Sequence, residues 1–123
     1  MKYIKKILKK LSEDPITSKT PTIVFARDPK CNLNEFKLDD LSCCGMFTSV
    51  DPSNAIKVFE GSHALQGNLD PKILLEEDSV IKESALKMLS EFKDFPGYIF
   101  NQPGKSLNCL LYTSDAADEW WRG

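Results

Sequence analysis

The first hydrophobic pattern in the chain has helical spacing and is interleaved with lysines. Its apolar positions are Tyr3, Ile4, Ile7, Leu8 and Leu11, and this spacing gathers side chains on one face of a helix. Two interpretations are open. The helix lies on an anionic membrane or serves as a transit peptide, or it covers a sheet and leaves its lysines in water. The segment contains no arginine, which disfavours a transit peptide, and we favour the helix that covers a sheet.

Four short runs of apolar, β-branched and aromatic residues follow this segment and predict strands. They cover residues 22–26, 43–50, 63–66 and 98–101. Pro21 and Pro29 bound the first run, and its continuous hydrophobicity predicts a buried strand. In the second run, Cys43 and Cys44 would point to opposite sides of the strand, and we interpret both as buried thiols.

Helical patterns separate these runs, so that helix and strand alternate along the chain. They are a short helix through 33–41, a helix from Asp51-Pro52 to Gly61, a helical turn over 72–75 after Asp70-Pro71, and a helix over 79–92. Aspartate before proline is a typical helix start. The last helix carries an apolar stripe of Ile81, Ala85, Met88, Leu89 and Phe92. The alternation predicts an α/β fold with parallel strands joined by right-handed helical crossovers.

Polar residues follow the predicted strands, at the carboxyl ends where parallel α/β sheets bind ligands. This set consists of Arg27, Asp28, Thr48, Ser49, Asp51, Gln66, Gly67, Asn68, Asp70, Asn101 and Gln102. His63 opens its strand instead, so we expect it at the opposite end of the sheet, without a catalytic role.

Each main candidate also has a purely structural explanation. Asp70 either caps a helix or contacts a ligand, and Gly67 permits a tight turn or a positive φ. The side chains of Asn68 and Gln66 are of the kind that hydrogen-bond to turn backbone. Arg27 either receives a carboxylate or forms a surface ion pair, and we favour the ion pair.

Composition narrows the classes of function. A chain of 123 residues, 41% of them hydrophobic, fits one small domain with a core. A net charge of −2 disfavours a strongly basic nucleic-acid binder, and no apolar run is long enough to span a membrane. The four cysteines form no C-x-x-C pair and the single histidine is far from them, so we predict no metal site. No apolar signal region follows Met1, and we expect a reducing cytoplasm.

Residues 64–71, which read Ala-Leu-Gln-Gly-Asn-Leu-Asp-Pro, closely resemble a signature of the uroporphyrinogen decarboxylase family. Three weaker segments, 20–26, 45–52 and 98–101, agree with the family in order and spacing. The resemblance covers residues 1–101. It implies a (β/α)8 TIM barrel, of which this chain would supply the last four βα units as a partial barrel.

The resemblance also implies an activity. Members of the family act without metal or organic cofactor and convert four acetate side chains of uroporphyrinogen to methyl groups, giving coproporphyrinogen and carbon dioxide in haem biosynthesis. Protonation at a pyrrole carbon makes the ring an electron sink. The tetrapyrrole is then the expected partner, and a homodimer is one expected assembly of the full-length protein. The substrate-binding residues that the resemblance carries over are Gln66, Gly67, Asn68 and Asp70, and Arg27, which stands where the family usually has a lysine, is a further substrate-binding candidate.

The chain departs from the family pattern at a position that the family uses for catalysis. Gly104 occupies the position of the family's active-site histidine, and the family's decisive aspartate and its arginines come largely from the amino-terminal half of the barrel. We therefore expect a fragment without activity, cut at both ends by gene prediction or assembly. Residues 109–119 resemble one reading frame of a transposase adapter used to build sequencing libraries, so we predict that 102–123 is non-native.

Two other functions stay open on the sequence alone. A corrinoid or thiol methyltransferase would share this barrel, but such proteins generally bind zinc through His and Cys, and the chain lacks a suitable pair. A small free-standing α/β ligand-binding module would need a Gly-rich phosphate loop, and neither G-x-G-x-x-G nor a P-loop pattern is present. A monomer that folds cooperatively would favour the module, and aggregation would favour a cut barrel.

Overall fold

Four parallel strands form one sheet in the computed structural model, which describes residues 2–25 and 32–103. They are β1 (Ile23–Phe25), β2 (Cys43–Gly45), β3 (Ala64–Gln66) and β4 (Tyr98–Ile99). The strands stand in the order β1-β2-β3-β4, and each pairs in parallel with the next one along the chain. The prediction of an α/β fold with parallel strands is therefore confirmed.

Helices and short turns connect the strands, although the helix predicted through 33–41 is only a four-residue 3₁₀ turn. The helices are α1 (Lys2–Glu13), α2 (Pro52–Phe59) and α3 (Asp78–Glu91), and 3₁₀ turns lie at Leu33–Phe36 and Pro71–Leu75. The start of α2 follows from local chemistry, because the Asp51 carboxylate accepts a hydrogen bond from the Asn54 amide at 3.0 Å and Pro52 needs no amide partner. Gly61 follows the helix with φ +73°, a conformation that favours glycine.

Three predictions about the strands are wrong in detail, and one of them is the fourth strand, which ends at Ile99 rather than at Asn101. The second strand ends at Gly45 rather than Val50, because the chain turns away from the sheet after Met46, with the Val50 amide bonded to the Phe47 carbonyl at 3.0 Å. The first strand is not buried, since Ile23 is 52% exposed and Phe25 is 40% exposed. Among the described strands β1 lies at the edge of the sheet and has one partner.

One face of the sheet carries the core. Val24, Cys44, Leu65 and Tyr98 form one side of the pleat, and Cys44 and Leu65 are fully buried. Side chains from every connecting segment pack on this side: Leu8 of α1, Phe36, Ala55 and Phe59 of α2, and Phe92 after α3. The helices therefore cover the same face, which agrees with a sheet wound in one direction rather than with helices on both faces.

The opposite face of the sheet is exposed on the outer strands β1 and β4, whereas Cys43 on β2 is buried there. Its side chains include Phe25, Gln66 and Ile99, which lie in one row across the sheet with Gly45 between the first two. Gly45 is needed there, because a Cβ at this position would come within 2.7 Å of the Phe25 ring. We call the face that carries Phe25, Gly45, Gln66 and Ile99 the open face.

The amino-terminal helix covers the sheet, as we favoured. Leu8 is buried in the core and Ile4 packs against it, whereas the lysines point to solvent. Tyr3 and Ile7 of the predicted apolar face remain exposed, and so does Leu89 of the predicted stripe on α3. None of the helices within 2–25 and 32–103 has the length and apolar character needed to cross a bilayer.

Both cysteines of β2 are buried, as predicted, and burial raises the pKa of the Cys43 thiol. His63 stands just before β3, at the amino-terminal end of the sheet, where its Nε2 lies 2.7 Å from the Leu38 carbonyl oxygen. This position agrees with the placement expected for it, at the end of the sheet opposite the candidate site. The predicted adapter resemblance at 109–119 falls outside the described residues.

Candidate functional site at the carboxyl ends of the strands

Gln66 ends β3 and belongs to the open face, between Gly45 on β2 and Ile99 on β4. Its side chain is partly buried. No hydrogen bond joins this amide to another side chain or to backbone within the described ranges. Gln66 is therefore the predicted site residue whose polar atoms are available to a ligand on the open face.

Asn68 has a structural task instead. Its side chain is buried, at 5% exposure, and Nδ2 donates hydrogen bonds of 2.8 Å to the carbonyl oxygens of Phe47 and Val50. These two bonds tie the turn after β3 to the turn after β2, so that both carboxyl-end loops are held as one unit. The Oδ1 atom is buried without a partner among the described residues. Burying this side chain therefore costs free energy, and the two hydrogen bonds from Nδ2 are needed to offset that cost.

Gly67 lies between these two residues with φ +121°. A Cβ there would meet the Met46 carbonyl oxygen at 3.0 Å, so both the backbone conformation and the space require glycine. The Gly67 carbonyl accepts a hydrogen bond from the Tyr98 hydroxyl of β4. Tyr98 in turn stacks on Phe92, with ring centroids 4.1 Å apart. The structure thus supports the tight-turn explanation of Gly67.

Tyr98 gives a pH-dependent test of this contact. Desolvation, with a smaller contribution from Glu91, raises the pKa of Tyr98 to about 12 from an ordinary 10.0. A raised pKa in the folded state means that stability present below pH 10 is lost as pH rises toward 12, because the unfolded chain ionises first. Urea unfolding across this range is expected to show the loss in the parent and a flatter profile in Tyr98→Phe.

The exposed Tyr3 supplies the matched control for that experiment. Tyr3→Phe removes a hydroxyl that is not bonded within the described part of the chain, so it should leave the free energy of unfolding at neutral pH unchanged. An unchanged slope in Tyr98→Phe would contradict the assignment. At neutral pH, Tyr98→Phe should lower the free energy of unfolding by about 1 kcal/mol, the contribution of one hydrogen bond.

Asp70 caps the 3₁₀ turn that follows it. Its Oδ1 accepts a hydrogen bond from the Lys72 amide at 2.9 Å, and Pro71 occupies the first position of the turn. This is the structural role that the sequence offered for Asp70. Whether its second carboxylate oxygen also binds a ligand is a separate question from its role as a cap.

Two substitutions at Asp70 separate the stabilising effect of the cap from that of the negative charge. Asp70→Ala removes the cap and is expected to lower the free energy of unfolding by about 1 kcal/mol, whereas Asp70→Asn keeps an acceptor and should stay within about 0.5 kcal/mol of the parent. Thermal unfolding followed by circular dichroism measures both values. Equal losses in the two variants would show that charge, rather than the cap, is what stabilises this turn.

The other predicted site residues are distributed differently. Thr48, Ser49 and Asp51 lie in the turn between β2 and α2, which Asn68 anchors. Asn101 follows β4, and its carbonyl accepts a hydrogen bond from the Leu69 amide at 3.1 Å. The next residue, Gln102, has a buried Oε1 without a partner among the described residues. Arg27 and Gly104 fall outside the described ranges, so their predicted roles stay predictions.

Sequence reasoning did not identify Tyr98 as a residue of this site. The apolar run over 98–101 indicated only that Tyr98 begins a strand. In the structure Tyr98 lies on the core side of the pleat, and its hydroxyl donates a hydrogen bond to the Gly67 carbonyl. A signal was present, since a tyrosine in an apolar strand needs a partner for its hydroxyl when buried.

No group of three or more His, Cys, Asp or Glu side chains within 2–25 and 32–103 is placed to hold a metal ion. The polar groups that the structure describes at the carboxyl ends of the strands are amides, hydroxyls, carboxylates and glycine backbone. Such groups orient a polar ligand by hydrogen bonds.

Comparison with known proteins gives a consistent picture. A family model described as uroporphyrinogen decarboxylase matches residues 1–104. The chain is 31% identical over 99 residues to a protein of Paraburkholderia xenovorans and 31% identical over 101 residues to one of Paraburkholderia phytofirmans, both named uroporphyrinogen decarboxylase. A protein of Burkholderia cenocepacia with the same name is 29% identical over 99 residues.

These matches cover most of this chain and a small part of each relative. They take in 80% to 82% of the chain but 27% to 28% of the two Paraburkholderia proteins. The Burkholderia cenocepacia match takes in 80% of the chain and 27% of that protein. The chain thus spans little more than a quarter of the length of the curated relatives it matches.

Proposed function

Because the chain belongs to the uroporphyrinogen decarboxylase family, we propose that its four βα units are the carboxyl-terminal part of a (β/α)8 barrel that decarboxylates the acetate side chains of uroporphyrinogen. The observation that carries this proposal is the turn 66–70, which ends β3 with Gln66 on the open face and with Asn68 and Gly67 fixed beneath it. Four strands wound in one direction with helices on one face suit such a barrel, whose interior would be the open face.

The proposed roles of the residues in this turn differ according to whether the polar groups of each side chain are already hydrogen-bonded. Gln66 faces the tetrapyrrole and offers its amide to a polar group of the substrate, whereas Asn68 and Gly67 hold the backbone around it. Asp70 keeps its turn in place through the Lys72 amide. Within the proposed site, Arg27, one position beyond the predicted first strand, would bind a substrate carboxylate in place of the surface ion pair favoured for it on the sequence alone. Fixing such groups in advance is how a protein positions a substrate without a cofactor.

The reaction itself needs groups that this part of the barrel does not supply. A proton added at a pyrrole carbon lets the ring accept the electron pair of the breaking carbon–carbon bond, and carbon dioxide leaves. The exocyclic methylene carbon then takes up a proton and the ring loses the added one, which leaves a methyl group on the restored pyrrole. The family's decisive aspartate and its arginines belong largely to the amino-terminal half, and Gly104 stands at the histidine position. We therefore propose that the 123-residue chain alone has no decarboxylase activity.

Anaerobic incubation with uroporphyrinogen tests this statement. We expect the purified chain to form no coproporphyrinogen above the level of a blank, as measured by chromatography of the oxidised porphyrins. Turnover by the purified chain would refute the inactivity and would mean that four βα units hold all the groups that the reaction requires.

A chimera tests the function of the matched segment. Residues 1–103 would replace the matching segment of the Paraburkholderia xenovorans protein, with every other residue of that protein kept. We expect the folded chimera to release coproporphyrinogen, and we expect Gln66→Ala to lower its kcat/KM about tenfold, the effect of one lost hydrogen bond of roughly 1.4 kcal/mol.

Asn54→Ala is the matched control for that substitution, because Asn54 is exposed on α2 and should leave kcat/KM unchanged. A folded chimera without activity would contradict the proposed function. A Gln66→Ala chimera as active as the control would remove Gln66 from the substrate site.

A further inference from the structure

A ladder of backbone hydrogen bonds fastens the turn that carries Gln66 to the strand beside it. Alternate amides of β3 and this turn donate to carbonyl oxygens at or next to β4: Leu65 to Gly97, Gly67 to Ile99 and Leu69 to Asn101, at 3.1 to 3.2 Å. The ladder fixes these amides. It does not by itself fix the direction of the Gly67 carbonyl, because glycine allows a wide range of ψ angles.

The Tyr98 hydroxyl fixes that direction. It donates a hydrogen bond to the Gly67 carbonyl oxygen from the neighbouring strand. This oxygen belongs to the peptide unit that joins Gly67 to Asn68, so the hydroxyl sets the plane of the turn just after Gln66. Without this bond the peptide unit would be freer to rotate, and the end of β3 would move with it.

The ring of Tyr98 has little freedom of its own. It stacks on Phe92 with the ring centroids 4.1 Å apart and the ring planes at 1° to each other. Phe92, at 2% exposure, lies directly after α3 and meets the ring of Phe95 edge-on, with centroids 6.3 Å apart. Close-packed aromatic rings of this kind keep one arrangement. The hydroxyl is therefore held in place by the core at the end of α3.

Tyr98 and Gln66 lie on opposite sides of the sheet. Tyr98 pairs with the fully buried Leu65, whereas Gln66 pairs with Ile99 on the open face. Because neighbouring residues of a strand point to opposite faces, the Tyr98 ring does not reach a ligand on the open face. An effect of Tyr98 on such a ligand has to pass through the Gly67 peptide to Gln66.

We propose that Tyr98 is a positioning residue of this site, whose hydroxyl holds the turn so that the Gln66 amide is presented to the substrate. This inference rests on the proposed function. The turn is then held from two sides, by Asn68 toward β2 and by Tyr98 toward β4. A site that acts through hydrogen-bonding groups placed in advance loses rate when such a group shifts. Tyr98 therefore contributes to the reaction without contact with the substrate.

A double-mutant cycle in the chimera tests whether Tyr98 acts through Gln66. Tyr98→Phe keeps the stacked ring and removes only the donor, and we expect it to lower kcat/KM about fivefold. In a chimera that already carries Gln66→Ala, the same change should have no further effect. Tyr3→Phe, at a side chain that is 78% exposed, is the control and should leave kcat/KM unchanged. An equal loss in both backgrounds, or a loss in neither, would overturn the inference, whereas an inactive parent chimera would count against the proposed function.

Amide hydrogen exchange in the full 123-residue chain tests the same placement without activity. We expect Tyr98→Phe to speed exchange of the Gly67 and Leu69 amides about tenfold relative to the Ala64 amide, which donates to the Ser42 carbonyl at 3.0 Å on the β2 side of β3. A hydroxyl that only stabilised the whole fold would speed exchange of all three amides equally. An equal change in all three, or no change, would therefore overturn the inference whether or not the chimera is active.

Discussion

Replacement of Asn68 by aspartate is expected to lower the free energy of unfolding by about 3 kcal/mol at neutral pH. The parent amide donates to the carbonyl oxygens of Phe47 and Val50 at 2.8 Å. An ionised carboxylate has no hydrogen to donate, so both carbonyls lose their donor and face a negative charge in a buried place. Urea unfolding at several pH values measures the loss.

The pH dependence of that variant has a definite sign. Burial beside two carbonyl oxygens raises the pKa of the new carboxyl group above its value in the unfolded chain. The loss should therefore be smallest at about pH 4 or below, where the protonated group can donate one hydrogen bond, and should grow as pH rises. Asn54→Asp, at an exposed position on α2, is the control and should stay within about 0.5 kcal/mol of the parent. Equal losses in the two variants would show that Asn68 does not hold the two loops together.

Leu65→Ala is expected to cost about 3 kcal/mol, because Leu65 is fully buried at the centre of the sheet and the cavity left behind cannot collapse easily. A sheet covered on one face has a small core, so this loss is a large fraction of the total stability. Thermal and urea unfolding should both show it. Leu75→Ala removes the same atoms from a side chain that is 64% exposed and should cost no more than about 0.5 kcal/mol. A loss at Leu65 as small as at Leu75 would place the core elsewhere.

The helix starts were predictable because their chemistry is local. Asp51 and Asp70 each cap the amide two or three residues ahead, and a proline follows each of them. The length of β2 was not predictable in the same way, because apolar residues continue to Val50 while the strand ends at Gly45. Where the chain leaves the sheet depends on contacts with β3 and its turn, which no local pattern records.

The candidate site shows the same division. The turn after β3 and its residues could be placed at the carboxyl end of the sheet from the alternation of helix and strand. The different roles of Gln66 and Asn68 could not be predicted, since the hydrogen-bond partners of Asn68 lie 21 and 18 residues earlier in the chain. The exposure of β1 was missed for a related reason. A continuous apolar run predicts burial, but the run itself does not show whether anything covers the open face.

The pairing of each strand with the next one along the chain also bears on the order of folding. The paired residues are roughly 20 to 35 positions apart, so every pairing closes a loop of moderate length, and none has to wait for a distant part of the chain. The shorter loops join β1 to β2 and β2 to β3, whereas α3 lengthens the loop before β4. Amide protons of β3 that face β2 should then exchange with solvent more slowly than those at the β4 edge, and structure would spread outward from the two central strands.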